Sequence, residues 1–420
     1  MTRHSFPALF LLAALLVPVA AASQVAEILV APPDSSVSGA VSNLDSLFQA
    51  LPKGAVVRFS PGDYILRPRP YTEPTCGNCA EESTRVQATV GLRISGQGVW
   101  LQGPEHGEAV LHTHAGYGLL FEDCRSCNLD GLTVTDGARD TSAAATDAAV
   151  VVKRSSVNVL NCTIRDNIGD STTVAKTVVG IIGVAGREGA TLTIRNTDIV
   201  RNSWDGVALY RGAQAVIESN WIDGVDLARG TTVGGGRGVG IGMTWNAFAT
   251  VRGNVVRNYW KGIGVFLDAQ ATVEENIIEN VATWGLTLWD AGVGRPTGTF
   301  RRNVVYRSGA CGASIVRTSP EPPRPGQFVQ NILVKTGQDS RYDSGEPYCF
   351  QMAIARHAVP ENFPISANIA YRNREARGKP GGEDLDAETF EARMIPVWSA
   401  LSRWEKLPRS GFWKDYHKGK

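Results

Sequence analysis

Between roughly residues 130 and 370 the apolar positions recur in short alternating runs, with no stretch of helical periodicity between them. Alternation at every second residue marks a strand with one buried face. The runs also repeat in kind. Ala271-Thr-Val-Glu-Glu-Asn276-Ile-Ile-Glu-Asn280 matches Ala249-Thr-Val-Arg-Gly-Asn254-Val-Val-Arg-Asn258, and Ala215 to Gly224 and Thr299 to Tyr306 share the frame. Following it outward gives a column: Leu132, Cys162, Thr197, Asn220, Asn254, Asn276, Asn303, Asn331 and Asn368. A second strand opens each turn on a small residue, as in Gly206-Val-Ala-Leu-Tyr210, Gly238-Val-Gly-Ile-Gly242, Gly262-Ile-Gly-Val-Phe266, Gly285-Leu-Thr-Leu-Trp289 and Gly312-Ala-Ser-Ile-Val316. Short strands at a repeating interval, with a polar column at one bend, predict a solenoid of stacked coils.

On these repeats the chain resembles the right-handed parallel β-helix proteins of the pectin-lyase-like superfamily, over roughly residues 50 to 373. The resemblance implies an all-β fold, a single-stranded right-handed parallel β-helix. It also implies that the Gly-initiated strand and its two flanking turns form a polysaccharide-binding cleft. In the Asn column Cys162 faces inward, which predicts a buried thiol without a partner.

The ends extend this picture. Leu44, Leu47, Phe48 and Leu51 share one helical face and predict a capping helix, after which Phe59 to Leu66 reads as a first strand. Phe390, Met394, Trp398, Leu401 and Trp404 predict a C-terminal helical tail packed on the coils, with Pro396 breaking or bending it. Arg3 and His4, an apolar stretch from Phe6 to Val19, and Ala20-Ala-Ala22 read as an export signal. The expected organisation is therefore a signal peptide at 1–22, a capped β-helix at 23–373, and a linker and helical tail at 374–420. The product is expected to be secreted or periplasmic, monomeric and without a membrane span.

Composition sharpens two points. The 45 glycines are about 11% of the chain against a usual value near 7%, which disfavours a helical bundle. Lys plus Arg (42) balances Asp plus Glu (41), which argues against a nucleic-acid partner. The motifs Cys76-Gly-Asn-Cys79 and Cys124-Arg-Ser-Cys127 read as disulfides rather than a zinc site, with Cys311 and Cys349 as a further possible pair. The spacing leaves the connectivity among these six open.

Register nominates a site. Outward from the Gly-initiated strands run Ala208, Gly240, Gly264, Thr287 and Ser314, beside Tyr210, Gly242, Phe266, Trp289 and Val316: a trough of small residues and aromatic rings. Many glycines then keep this floor low. Asp205, Arg237 and Lys261 precede the strand; Lys153, Arg211, Asp268, Asp290 and Arg317 follow it; Trp204, Trp245 and Trp260 add rims. Cations beside such a trough suit uronate carboxylates. Abstraction of the proton α to the carboxyl group needs a neutralising cation and a base. Lys261, its pKa lowered by Arg237, is the expected base, and Arg211 or Arg317 the neutraliser. Asp268 and Asp290 would supply the carboxylate pair of a hydrolase. The expected function is binding of acidic polysaccharide with cleavage by β-elimination, a lyase being favoured over a glycoside hydrolase. The alternative is a non-catalytic carbohydrate-binding or envelope protein. No EF-hand-like loop is present, so calcium is left open as a cofactor.

Overall fold

The computed structural model describes residues 26–417 except 34–36, 143, 145, 171, 173–178, 226–237, 318–325, 343–351, 360–362 and 375–383. The segment 1–22, expected to be an export signal, and Cys349 lie outside the described residues. Coils stack into three long sheets. Sheet 1 has 12 strands from Glu27–Val30 to Ile365–Ser366, and sheet 2 has 11 from Gly62–Ile65 to Ile369–Tyr371. Sheet 3 also has 11, from Arg69–Glu73 to Met352–His357. Among the described residues all pairings between coils are parallel, and the one antiparallel pair is Arg69–Glu73 with Val86–Val90.

From Gly131 onward each described coil turns from sheet 1 to sheet 2 through a two-residue corner. Its first residue takes a left-handed conformation, at φ 54° in Ser219, 65° in Gly253, 58° in Glu275 and 55° in Arg302. The second is the Asn column, fully buried from Asn220 to Asn331. Each amide there donates to the next: Asn220 to Asn254 at 2.9 Å, Asn254 to Asn276 at 2.9 Å, Asn276 to Asn303 at 2.9 Å and Asn303 to Asn331 at 3.0 Å. It also donates to a carbonyl one coil back, as Asn276 does to Val251 at 2.9 Å, while its oxygen accepts a backbone N–H. Cys162 sits in this column as a buried free thiol, its Sγ near the Leu160 carbonyl. Burial pushes its pKa up to about 12, so it is inert as a nucleophile.

The strand-opening glycines have a different role from the one predicted. They face inward, where sheet 3 meets sheet 2. A Cβ on Gly262 would lie 2.3 Å from the Gly285 carbonyl oxygen and 2.4 Å from Ile278 Cγ2. Gly206, Gly240 and Gly285 meet the same two kinds of neighbour. Part of the glycine surplus therefore serves close packing of a narrow interior, and of the glycines in the predicted floor rows Gly242 and Gly264 lie outward.

At the N-terminal end Leu44–Gln49 is a helix, capped by Asn43, with Leu44 and Phe48 in the core. The segment 59–66 is not one strand: Ser60 and Pro61 turn the corner between Val56–Phe59 and Gly62–Ile65. A further strand, Glu27–Val30, precedes them. The C-terminal helix Ala387–Leu401 contains Pro396 without ending there. With Gly411–Tyr416 it covers sheet 2, burying Phe390, Met394, Leu401 and Phe412 against Val255, Ile277, Val304 and Ile332. Buried Glu279 accepts the Gly411 and Phe412 amides, each at 3.1 Å, and so fixes the start of that last helix. Disulfides join Cys76 to Cys79 and Cys124 to Cys127, the second across the corner from sheet 3 to sheet 1.

Two substitutions test these packing arguments. Asn276→Ala removes the acceptor of the Asn254 backbone N–H and the side-chain donor to the Val251 and Glu274 carbonyls; it should cost about 3 kcal/mol, read by thermal unfolding. Gly262→Ala, on an outwardly unchanged strand, should cost about 1–3 kcal/mol through overpacking, whereas Gly242→Ala, whose Cβ would meet Val239 no closer than 3.6 Å, should not.

Candidate functional site

The outward side chains of sheet 3 form three rows along the stack, coils being about 4.8 Å apart. The middle row is small: Ala185, Ala208, Gly242, Gly264, Thr287 and Ser314. On one side stand Tyr117, Ala148, Ile182, Asp205, Val239, Lys261 and Trp284. On the other stand Glu122, Lys153, Arg187, Tyr210, Thr244, Phe266 and Trp289. The predicted frame was two residues out at one coil: Gly242, not Gly240, continues the small row, and Thr244 rather than Gly242 adjoins Tyr210. The glycines at 238, 240 and 242 alternate, so the sequence offers several equivalent frames there. Val239 takes the place expected of Arg237, which lies outside the described residues.

The face is not an open trough. Lys261 is 4% exposed, and Asp205, Tyr210, Asp290 and Arg317 are buried as well, while Trp204, Trp245, Trp260, Phe266 and Trp289 are half-buried. The Lys261 ammonium lies 3.2 Å from the Trp260 ring centre, 4.7 Å from Trp284, 5.6 Å from Trp289 and 5.8 Å from Phe266. Such rings stabilise the charged amine. Two coils back, burial raises the Asp205 carboxyl from 3.8 to about 7, against the pull of the Val239 N–H at 2.6 Å and the Lys261 charge. The other nominated charges engage backbone. Arg211 donates to the Cys79 carbonyl and lies over Trp245, and Arg317 donates to the Pro296 carbonyl at 2.7 Å. Asp268 accepts the Arg295 N–H at 3.1 Å and Asp290 the Gly292 N–H at 3.0 Å.

The N-terminal half of the face carries a polar network that motif reading missed. The hairpin of Arg69–Glu73 and Val86–Val90 packs Tyr71, Ala88 and Val90 on Tyr117 and Leu120. Its Glu73 carboxylate pairs with Lys153, and all of Glu73, Lys153 and Arg187 are 0% exposed. Beneath Thr89, Asp140 and Asp147 converge: the Thr89 hydroxyl donates to Asp140 at 2.7 Å, and the Asp140 N–H donates to Asp147 at 2.9 Å. Burial, then the Asp140 charge, raises Asp147 from 3.8 to about 7. Only the extension of the outward row from Tyr210 back to Lys153 could have signalled this network. The carboxylate pair, set in a loop, left no periodic trace. Among the described residues no group of three His, Cys, Asp or Glu side chains is arranged to hold a metal ion.

A family profile described as "Right handed beta helix region" matches residues 107–235 and 180–340, more than half of the chain. The chain belongs to the right-handed β-helix family. Solved structures similar to this β-helix include a pectate lyase (16% identity, TM-score 0.40, covering 71% of this chain and 79% of that one). An alginate lyase from Paenibacillus is 13% identical, with TM-score 0.44 and coverage of 77% and 95%. A surface adhesin of Streptococcus pneumoniae is 10% identical, with TM-score 0.39 and coverage of 76% and 69%. No curated protein matches the chain.

The Asp147 shift has a stability consequence. The folded β-helix holds a proton that the unfolded chain has released between pH about 4 and about 7, so this group's contribution to stability falls as pH rises through that window. Asp147→Asn should therefore raise the melting temperature at pH 8 and leave it nearly unchanged at pH 4. An equal change at both values would contradict the assignment.

Proposed function

We propose that this β-helix is an exported protein, secreted or periplasmic, that binds acidic, uronate-containing polysaccharide on the outer face of sheet 3 and cleaves it by β-elimination. The observation that carries the reading is the pair formed by ring-enclosed Lys261 and buried Asp205, in one row and two coils apart. A uronate carboxylate suits the Lys261 ammonium, and half-buried Trp260, Phe266 and Trp289 suit the faces of sugar rings. The roles differ from those read in sequence. Rings around an amine favour its charged form, so Lys261 fits the neutralising cation better than the base. Asp205, poised near neutral pH, fits the base that takes the α proton. The electron pair left behind forms the ring double bond as the glycosidic oxygen departs. Two disulfides suit an oxidising compartment, and no helix among the described residues is long and apolar enough to cross a membrane.

A second reading, non-catalytic glycan binding, is favoured by the backbone hydrogen bonds of Arg211, Arg317, Asp268 and Asp290, which give these charges structural employment. One experiment separates the two. Polygalacturonate, alginate and glycosaminoglycans are incubated with the full chain, with and without calcium, and followed by the ultraviolet absorbance of unsaturated ends. Cleavage is expected, with Asp205→Asn lowering turnover by about a hundredfold or more while binding persists. Lys261→Met should weaken binding itself. Binding without unsaturated product selects the non-catalytic reading; no binding to any uronate polymer removes both.

A further inference from the structure

The hairpin tip crosses the outer face of sheet 3 and touches successive coils. Glu73 meets Lys153, the Thr75 carbonyl accepts from Arg187 at 2.7 Å, the Cys79 carbonyl accepts from Arg211, and Asn78 accepts from Trp245 at 3.2 Å. Gly77 has no side chain because the Arg187 guanidinium lies against it: a Cβ there would be 3.2 Å from Arg187 Cζ. Within this contact one feature is poorly made. The second Glu73 oxygen has no hydrogen-bond partner and lies 3.8 Å from the Arg187 guanidinium. Lys153 and Arg187 thus form a fully buried, doubly cationic cradle with a carboxylate already in it, held imperfectly because it is tethered to the hairpin.

We infer that Lys153 and Arg187 are a carboxylate-binding subsite whose resident occupant, Glu73, is a tethered competitor for the uronate group of an acidic sugar. The identity of the sugar rests on the function proposed above; the subsite itself rests on the cradle. The chemistry is specific. Two cations from adjacent strands converge on Glu73, Arg187 being paired through its Nε with Glu188 as well at 2.9 Å, and the Tyr117 hydroxyl beside them accepts from Arg187 at 3.3 Å. At the root of the hairpin a cleft of about 450 Å³ is lined by Phe48, Arg69, Tyr71 and Arg93. Tyr71 and Arg93 both reach Glu122, which lies 3.7 Å from Lys153, so the cleft wall and the cradle share one network. Displacement of Glu73 lifts the hairpin tip and leaves the cradle's charge to the incoming carboxylate. No covalent step is involved.

Calorimetric titration of D-glucuronate and of glucose into the full chain and into Glu73→Gln tests this. Removal of a tethered competitor should tighten glucuronate binding about tenfold and leave glucose unaffected. Equal glucuronate affinity in the two proteins, or an equal gain for glucose, overturns the inference. If Glu73→Gln does not fold, hydrogen exchange on the unaltered chain decides. Saturating glucuronate should speed exchange of the Val86–Val90 amides relative to glucose, and unchanged protection overturns the subsite. Lys261→Met keeps the two claims apart: it should weaken polymer binding yet preserve the glucuronate gain of Glu73→Gln.

Discussion

The asparagine ladder is the constraint on which the remainder depends. A coil that turns in two residues leaves peptide groups pointing into an interior from which water is excluded, and each must find a partner. An Asn amide has the donors and acceptor to satisfy its own corner and the neighbouring ones at once. Because those bonds run from coil to coil, they fix the stacking distance and the phase of every turn. The register of sheet 3, and hence which side chains line its outer face, is inherited from them. Toward the N-terminus the column passes to Thr197 and Cys162, where one 3.4 Å contact replaces the paired amide bonds. In those coils a buried amide pair stands at the next corner instead, Asn167 donating to Asn202 at 2.8 Å.

The sequence made the coils legible because ladder and strand alternation are both local and repeated. Asn276 and Asn254 announce themselves by neighbours that match residue for residue. The frame of the outer face was less secure where glycine alternates, since Gly238, Gly240 and Gly242 carry no side chain to tell inside from outside. The crowding of Gly262 against Gly285 and Ile278 comes from sheets meeting at an angle, which no one-dimensional pattern encodes. Least legible was the contact of Glu73 with Lys153, separated by 80 residues and made by an insertion outside the repeat. Repeats reveal what the coils do to one another; they are silent about what an insertion lays across them.

The near-neutral charge of the chain also takes on a structure. On the N-terminal half of sheet 3 the cations are matched: Lys153 with Glu73 and Glu122, Arg154 with Asp123, and Arg187 with Glu188. Around Lys261 the immediate neighbours are instead aromatic rings, with Asp205 the carboxyl that bears on it from farther along the row. The two halves of one face thus surround the same kind of side chain differently among the described residues, with carboxylates at Lys153 and with aromatic rings at Lys261.

That difference bears on why the hairpin exists. Protection of an open solenoid end needs apolar cover, and the helix Leu44–Gln49 supplies it through Leu44 and Phe48. The hairpin root does similar work with Tyr71, Ala88 and Val90. Its tip does not: it buries three formal charges, and burying a charge pair costs several kcal/mol per ion before their attraction is counted. Apolar residues of similar volume would hold the tip at least as well. Stability therefore accounts for the root of the hairpin but not for Glu73, Lys153 and Arg187. A cradle retained at that cost, on the same face as Lys261 but in the row across the small middle one, fits the subsite inferred above better than it fits a purely structural cover.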